Sequence, residues 1–345
     1  MQFFSNDLGV DLGTSNVLIY VDGKGVVVRE PSVVAVDKNT GKILQVGAAA
    51  RNMLGRTPGN VVAMTPLKDG VISDHEMTVR MLQMFFNSAT KTSLFTPKPR
   101  IIISVPSSIT EVEERTVINA AIEAGARRVY LIEEPLAAAL GADLDIKGPN
   151  GHMVVDIGGG TTDIAVLSMN GVAISSSIKV AGLAFDDAIA RHVRRKHGVV
   201  IGQATAEDIK IQIGSVYPRQ EELTMIVKGR DAKNGTPKEI QLLSSEIFEV
   251  LRRPARLIAD EVLSVLEDTS PELVGDIAEN GITLTGGGCQ IWGMDLMLTE
   301  RTNIRCTIAD DPASCVAFGC GKSLSWINHM QEGIMNIARK RILRK

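Results

Sequence analysis

Along the chain, short apolar runs alternate with longer stretches in which apolar residues recur every three or four positions. The runs at 17–21, 101–105, 129–132, 153–155 and 282–284 are dominated by Val, Ile and Leu and are too short for buried helices, so they predict strands. The stretches 111–124 and 245–266 carry the helical period and predict amphipathic helices. Gly125 closes the first of these, and Gly141 ends an Ala-rich helical turn over 135–140 that opens on Pro135. Strands and helices intermix from end to end, which predicts an α/β fold.

The strongest organisational signal is an internal duplication. Gly9-Val10-Asp11-Leu12-Gly13-Thr14-Ser15-Asn16 leads into a strand, a turn at Asp22-Gly23-Lys24-Gly25 and a return strand. Val154-Val155-Asp156-Ile157-Gly158-Gly159-Gly160-Thr161-Thr162-Asp163 leads into the same sequence of elements, with its turn at Met169-Asn170-Gly171. Asp11 and Asp156 stand 145 residues apart, about one domain length. A repeated strand, Asp-x-Gly loop and hairpin implies two similar lobes facing each other. The polar stretch Lys147-Gly148-Pro149-Asn150-Gly151 is the expected boundary. Residues 219–239 read as a surface hairpin on the second lobe, and 33–65 as a small insertion on the first.

With 345 residues, 44% hydrophobic and 22% charged, the chain has ample material for two cores and is not disordered. A net charge of −3 and an aromatic content of 4% argue against nucleic acid as a partner, since neither a basic face nor a stacking platform is expected. The four cysteines, at 289, 306, 315 and 320, form no C-x-x-C pair, so neither zinc fingers nor a disulfide framework is expected. No basic segment followed by an apolar run opens the chain, and no apolar run approaches the roughly 18 residues that span a bilayer. The expectation is a cytoplasmic protein.

Candidate chemistry sits in the glycine clusters. Each duplicated loop puts an aspartate at a strand end, followed by glycines whose N–H groups can turn to an anion without a β-carbon in the way. Thr14, Ser15, Thr161 and Thr162 add hydroxyls. Asp11 and Asp156 could then face one another and hold Mg²⁺ through water, because that ion favours carboxylate and water oxygens. For either loop alone, a tight hairpin turn explains the residues equally well. A third cluster, Thr285-Gly286-Gly287-Gly288-Cys289-Gln290, follows a strand and is expected to precede a helix, suiting a base or ribose. Glu133 and Glu134 stand at the start of the Pro135 helix. They fit simple capping, or a role for Glu134 in orienting or deprotonating a water.

Together DLGTSN, LIEEPLAAALG, DIGGGTTDIAV and LTGGG resemble the phosphate-1, connecting, phosphate-2 and adenosine motifs of the actin, heat-shock-70 and sugar-kinase ATPase superfamily. The intervening EPSVVAVD, GRTPGNVVAMTPLKDGVISD, SVPSSITEVEER and ATAEDIK resemble the bacterial actin-like MreB/Mbl family over essentially the whole chain. The resemblance implies an actin-like ATPase fold of two ribonuclease-H-like lobes with a nucleotide cleft between them. It implies a lobe I core of 1–32, 66–146 and 316–345 with subdomain 33–65, and a lobe II core of 147–182 and 246–315 with subdomain 183–245. ATP and Mg²⁺ are the implied ligands. Asp11, Gly13, Thr14, Ser15 and Asn16 match the first phosphate loop. Asp156, Gly158, Gly159, Gly160 and Thr161 match the second. Glu207, Asp208 and Lys210 match the segment at the ribose and base, and Gly286, Gly287, Gly288 and Cys289 the adenosine loop. Glu134, Thr162 and Asp163 match the hydrolytic positions.

Three departures from the family pattern stand out. Asp163 replaces the usual Glu. Val180-Ala181-Gly182-Leu183 lacks the acidic residue of a Gly-Gly-Asp element. Cys289-Gln290 follows Gly288 where small apolar residues are usual.

The resemblance further implies ATP-dependent filaments of the chain with itself, peripheral at the inner face of the cell membrane. Slow ATP hydrolysis would be coupled to polymerisation, and the partners would belong to the cell-wall elongation machinery, such as RodZ. Leu94 and Phe95 match a membrane-inserting loop, although folding back onto the core would bury them as well. Five basic residues in the last seven fit either an anionic membrane surface or a solvated helix end. The basic run Arg191-His192-Val193-Arg194-Arg195-Lys196-His197 reads as a solvated face or a filament contact, because its histidines are five apart and miss the one-turn spacing of a helical metal pair. The alternative function, a small-molecule kinase of the same superfamily, would need a further carboxylate base at a Gly-rich strand end, and none is evident. A chaperone would need a peptide-binding domain for which these residues leave no room.

Overall fold

Two five-stranded sheets in the computed structural model, which describes residues 7–90 and 97–325, share one topology. In the first, Leu8–Leu12, Asn16–Val21 and Gly25–Pro31 form an antiparallel meander, and Leu8–Leu12 pairs parallel with Arg100–Val105, which pairs parallel with Arg128–Glu133. In the second, His152–Ile157, Thr162–Ser168 and Gly171–Ile178 repeat the meander. His152–Ile157 then pairs parallel with Ile282–Thr285, and that strand with Cys306–Ile308. The duplication read from the two Asp-x-Gly loops is therefore a duplication of whole sheets. The central parallel strands are apolar almost throughout because both faces are covered, whereas the outer Gly25–Pro31 strand exposes alternate residues.

Each sheet has its own core. One packs Leu8, Val10, Ile19, Ile101 and Ile103 against Met81, Leu82 and Phe85 of helix His75–Ala89. The other packs Val155, Ile157, Ile164 and Val166 against Phe185, Ile189 and the buried stripe Ile247, Leu251, Ile258 and Val262 of helix Ser244–Glu267. Helix Glu111–Glu123 starts on a capping box in which Thr110 and Glu113 satisfy each other's backbone N–H groups.

A third cluster joins the two sheets: Ile102 and Tyr130 from the first, Val154, Ala165 and Leu167 from the second, with Leu136–Ala139 and Val316 between them. It is carried by helices Glu134–Gly141 and Cys315–Ser323, which pack backbone to backbone. A β-carbon on Gly319 would lie 1.8 Å from the Ala137 carbonyl oxygen, and one on Gly141 would lie 1.8 Å from that of Cys315. Gly141 was expected only to stop its helix. Its larger role is this contact, which no local pattern announces.

Smaller sheets flank each unit. Val34–Asp37 pairs with Ile43–Val46 and Val61–Met64 beside the first, and Val199–Val200, Thr224–Asp231 and Pro237–Leu243 form the other beside the second. The hairpin expected over 219–239 is present, with strands reaching to Leu243. Leu94, Phe95 and the basic C-terminal run lie outside the described residues.

Candidate functional site

The two Asp-x-Gly loops meet face to face. A β-carbon on Gly159 would lie 2.0 Å from Ser15 Oγ, and one on Gly160 would lie 2.6 Å from Thr14 Oγ1. Bare backbone from one loop thus abuts the hydroxyls of the other, which only glycine permits. Above this contact opens a cleft of about 750 Å³. The first loop is braced from behind: Ser32 Oγ donates to the Gly13 carbonyl at 2.6 Å, and the Gly70 N–H donates to Thr14 Oγ1 at 2.8 Å.

The cleft is lined by Asp11, Gly13, Thr14, Ser15 and Asn16 on one side, and by Asp156, Gly158, Gly159, Gly160 and Thr161 on the other. Glu134, Glu207, Lys210, Gly286, Gly287 and Gly288 also line it. Asp208 does not: it is exposed on the outer side of helix Gln203–Ile213. Cys289 is fully buried, its Sγ donating to the Gly286 carbonyl at 3.0 Å, and Gln290 takes the lining position instead. Thr162 lies behind its loop and donates to the Val180 carbonyl at 2.7 Å. The third glycine cluster leads into a single 3₁₀ turn, Gly287–Gln290, and the α-helix begins only at Met294. The helix N-terminus expected directly after this cluster is therefore displaced by three residues, and Gly286, at φ +80°, holds the backbone against the Ile157 carbonyl.

Four carboxylates converge at the base of the cleft. Burial, then repulsion from Asp156, pushes Asp11 up to about 7, against a weak opposing hydrogen bond from Ser104. Asp156 is also pushed up to about 7, chiefly by burial, although Thr285 donates to its Oδ1 at 2.7 Å. Glu134 is raised well above the ordinary glutamate range by burial, then by Asp163, Asp11 and Asp156. Asp163 is raised by burial and accepts from the Ser107 N–H at 3.1 Å. Its Oδ2 is buried without a hydrogen-bond partner among the described residues. Burial and repulsion from three neighbouring carboxylates both favour the protonated form of Glu134. The pair Asp11 and Asp156 offers oxygen donors alone, in a setting where their charges are poorly solvated. That donor set fits a hydrated Mg²⁺ and not a softer metal.

Among the lining residues that sequence reasoning missed are Asp186 and Arg51. Asp186 brings a carboxylate to the wall near the acid-free Gly182-Leu183 element, one helical turn beyond Gly182. Its Oδ1 pairs with Lys210 Nζ at 2.8 Å, and burial holds its pKa up near 6 in spite of that lysine. Its four-residue spacing from Gly182 was the available signal. Arg51, from helix Gly47–Arg51, reaches across the cleft to Glu207, and no local signal marks it.

Away from the cleft, the basic run 191–197 departs from its expected solvated face. His192 and His197 are largely buried and both turn to Glu246. Counting positions around a helix omitted the reach of two imidazoles toward a third element.

Among the described residues no helix is long and apolar enough to cross a membrane. The family model described as "MreB/Mbl protein" matches residues 5–332. The cell shape-determining protein Mbl of Bacillus cereus is 51% identical over 329 residues, covering 95% of this chain and 98% of the relative. MreB of Escherichia coli, also named a cell shape-determining protein, is 49% identical over 94% of this chain and 95% of its own length. The crystal structure of MreB5 of Spiroplasma citri bound to AMPPNP superposes with a TM-score of 0.88 at 42% identity, over 93% of this chain and 96% of that one. The duplicated sheets, the cleft between them and these likenesses agree: the fold is actin-like, and the chain belongs to the MreB/Mbl family.

Proposed function

We propose that this chain is an ATP-binding, filament-forming cytoskeletal protein that works at the inner face of the cell membrane in shaping the cell. The observation that carries the reading is the meeting of the two glycine loops under one cleft, with Asp11 and Asp156 at its base. Bound AMPPNP in the Spiroplasma relative supports the nucleotide assignment. The N–H groups of Gly13, Gly159 and Gly160, with the hydroxyls of Thr14 and Ser15, would cradle the phosphates, while the Gly158 N–H closes its own loop on the Thr161 carbonyl at 2.9 Å. Lys210 and Glu207 would face the ribose and base, and Gly286–Gly288 the adenosine. Asp11 and Asp156 would hold Mg²⁺ through water, an ion that supplies charge neutralisation on the phosphate oxygens.

Glu134 would position the attacking water and take its proton. Burial and the neighbouring carboxylates favour its protonated form, so it becomes a base only when the negative charge around it falls. Hydrolysis would accordingly be slow and tied to cleft closure and polymerisation. Head-to-tail contacts that do not close on themselves give open filaments. Leu94 and Phe95 would bury apolar area in the bilayer, weakly for one subunit and strongly for a filament. Wall-elongation proteins such as RodZ would be the partners.

Co-sedimentation with anionic vesicles, with and without Mg·ATP, followed by negative-stain imaging, tests the reading. Ordered filaments on vesicles that require nucleotide, and that Leu94→Ser/Phe95→Ser detaches from lipid, are the expected result. A monomer that binds ATP but neither assembles nor pellets would refute it.

A further inference from the structure

Helix Gly182–His197 ends against the first turn of helix Ser244–Glu267, and three side chains converge there. The Nε2 atoms of His192 and His197 each lie 2.6 Å from the same oxygen, Oε1 of Glu246. All three atoms fall within 4.8 Å of one another. The rings approach from different directions, their planes 67° apart and their centroids 6.3 Å apart. The side chains are 15%, 20% and 9% exposed, so solvent reaches the cluster while its ligand atoms are held. We propose that His192, His197 and Glu246 form a binding site for a divalent transition metal of the zinc class.

Two imidazole nitrogens and one carboxylate oxygen are a donor set that suits Zn²⁺, Ni²⁺ or Cu²⁺ and is poor for Mg²⁺ or Ca²⁺. Three protein ligands leave a position for water, and the partial exposure of the histidines allows it. Ligands at about 2.0–2.2 Å from zinc sit roughly 3.3 Å from each other, so the 2.6 Å contacts must open by less than an ångström. Rotation of three side chains on two helix ends supplies that movement. Glu246 Oε2 is held at 3.2 Å by Lys196 Nζ, which fixes the carboxylate's orientation and leaves Oε1 as the ligand atom. The same ammonium lowers affinity for a cation, so the site binds less tightly than its donors alone would.

The location gives the metal a structural consequence. His197 is the last helical residue before Gly198, and Glu246 lies where the chain re-enters its long helix. Between them run residues 198–243, which contain helix Gln203–Ile213 with Glu207 and Lys210 at the cleft. A metal here staples both ends of that excursion, independently of any ligand in the cleft.

The test uses the full chain, stripped with a chelator and then titrated with zinc chloride or cobalt chloride. Excess Mg²⁺ and ADP are present throughout to occupy any site in the cleft. The expected result is one equivalent of zinc bound and a visible Co²⁺ ligand-field band. Zinc should also raise the thermal midpoint. His192→Gln and His197→Gln should each weaken binding at least about tenfold and together abolish the Co²⁺ band. Lys196→Ala, an exposed change that leaves all three ligands in place, should strengthen binding by roughly threefold or more. Zinc stoichiometry and affinity that are the same in the wild type and the double histidine variant would overturn the proposal. If the histidine variants do not fold, affinity unchanged by Lys196→Ala overturns it instead.

Discussion

Arg51 and Glu207 form an ion pair across the mouth of the cleft, 156 residues apart in sequence and on opposite flanks of the molecule. Arg51 belongs to the short helix beside the first sheet, Glu207 to the helix beside the second. Glu207 is also the carboxylate proposed to face the nucleotide, so one residue both ties the mouth shut and lines the site. The pair is about one-third exposed, which limits it to roughly 0.5–1 kcal/mol. Arg51→Ala is therefore expected to speed release of a fluorescent nucleotide by about two- to fivefold, measured by stopped-flow displacement. Unchanged release would make the pair an ordinary surface contact.

The repulsion between the buried carboxyls of Glu134 and Asp163 makes a second expectation concrete. Glu134→Ala should keep nucleotide binding and slow phosphate release at least about tenfold, since it removes the group that would take the proton. Asp163→Asn should act in the opposite sense on the pH profile. Burial raises Glu134 first and the Asp163 charge second, so removing that charge lowers the Glu134 pKa. A base works above its pKa, so the rising limb of turnover against pH should move to lower pH in Asp163→Asn. A limb that stays in place would separate Asp163 from the chemistry.

The loop contact gives a third. Gly159→Ala puts a methyl group 2.0 Å from Ser15 Oγ, and the loops must separate to admit it. Overpacking of this kind costs about 1–3 kcal/mol. The protein should remain folded by circular dichroism, while nucleotide affinity falls at least about tenfold in equilibrium titration. Full affinity would mean that the two loops do not have to stay in contact for the site to work.

How much of this was legible beforehand depends on the range of the interaction. The strand ends, both Asp-x-Gly loops and the duplication were readable because each is a local pattern, repeated. The matching sheet order followed from the repeat. The register that sets Asp163 opposite Asp156, where Leu18 stands opposite Asp11, could be counted from the loop length. What sequence could not supply was long-range and side-chain specific. The backbone contact of Gly141 with Cys315, the reach of Arg51 to Glu207 and the convergence of His192 and His197 on Glu246 all join elements far apart in the chain. Asp208 differs for another reason: its neighbours Glu207 and Lys210 line the cleft, but it falls on the outer side of a helix whose phase the motif alone did not fix.

Asp11 and Asp156 carry the last expectation, a dependence on pH whose sign follows from their raised pKa values. An ordinary aspartate titrates at 3.8, and burial lifts both of these to about 7. Between those values the folded protein holds protons that the unfolded chain has released, so stability falls as pH rises through the window and levels off above about 7. Binding of a divalent cation runs the other way, because each carboxylate must first lose its proton. One pH unit below its pKa a carboxyl is ionised only about one-tenth of the time. In the presence of ADP, Mg²⁺ affinity should therefore drop at least about tenfold between roughly pH 8 and pH 6, while the thermal midpoint of the nucleotide-free protein rises over the same interval. Asp11→Asn should flatten both curves, because it removes one of the two titrating groups and relieves the other of its neighbour's charge. Calorimetric titration with MgCl₂ at a series of pH values, alongside thermal melts of both proteins, reads the two trends separately. A Mg²⁺ affinity that ignores pH would place the cation away from these aspartates, and a midpoint that falls on acidification would mean that their burial is not what sets their charge.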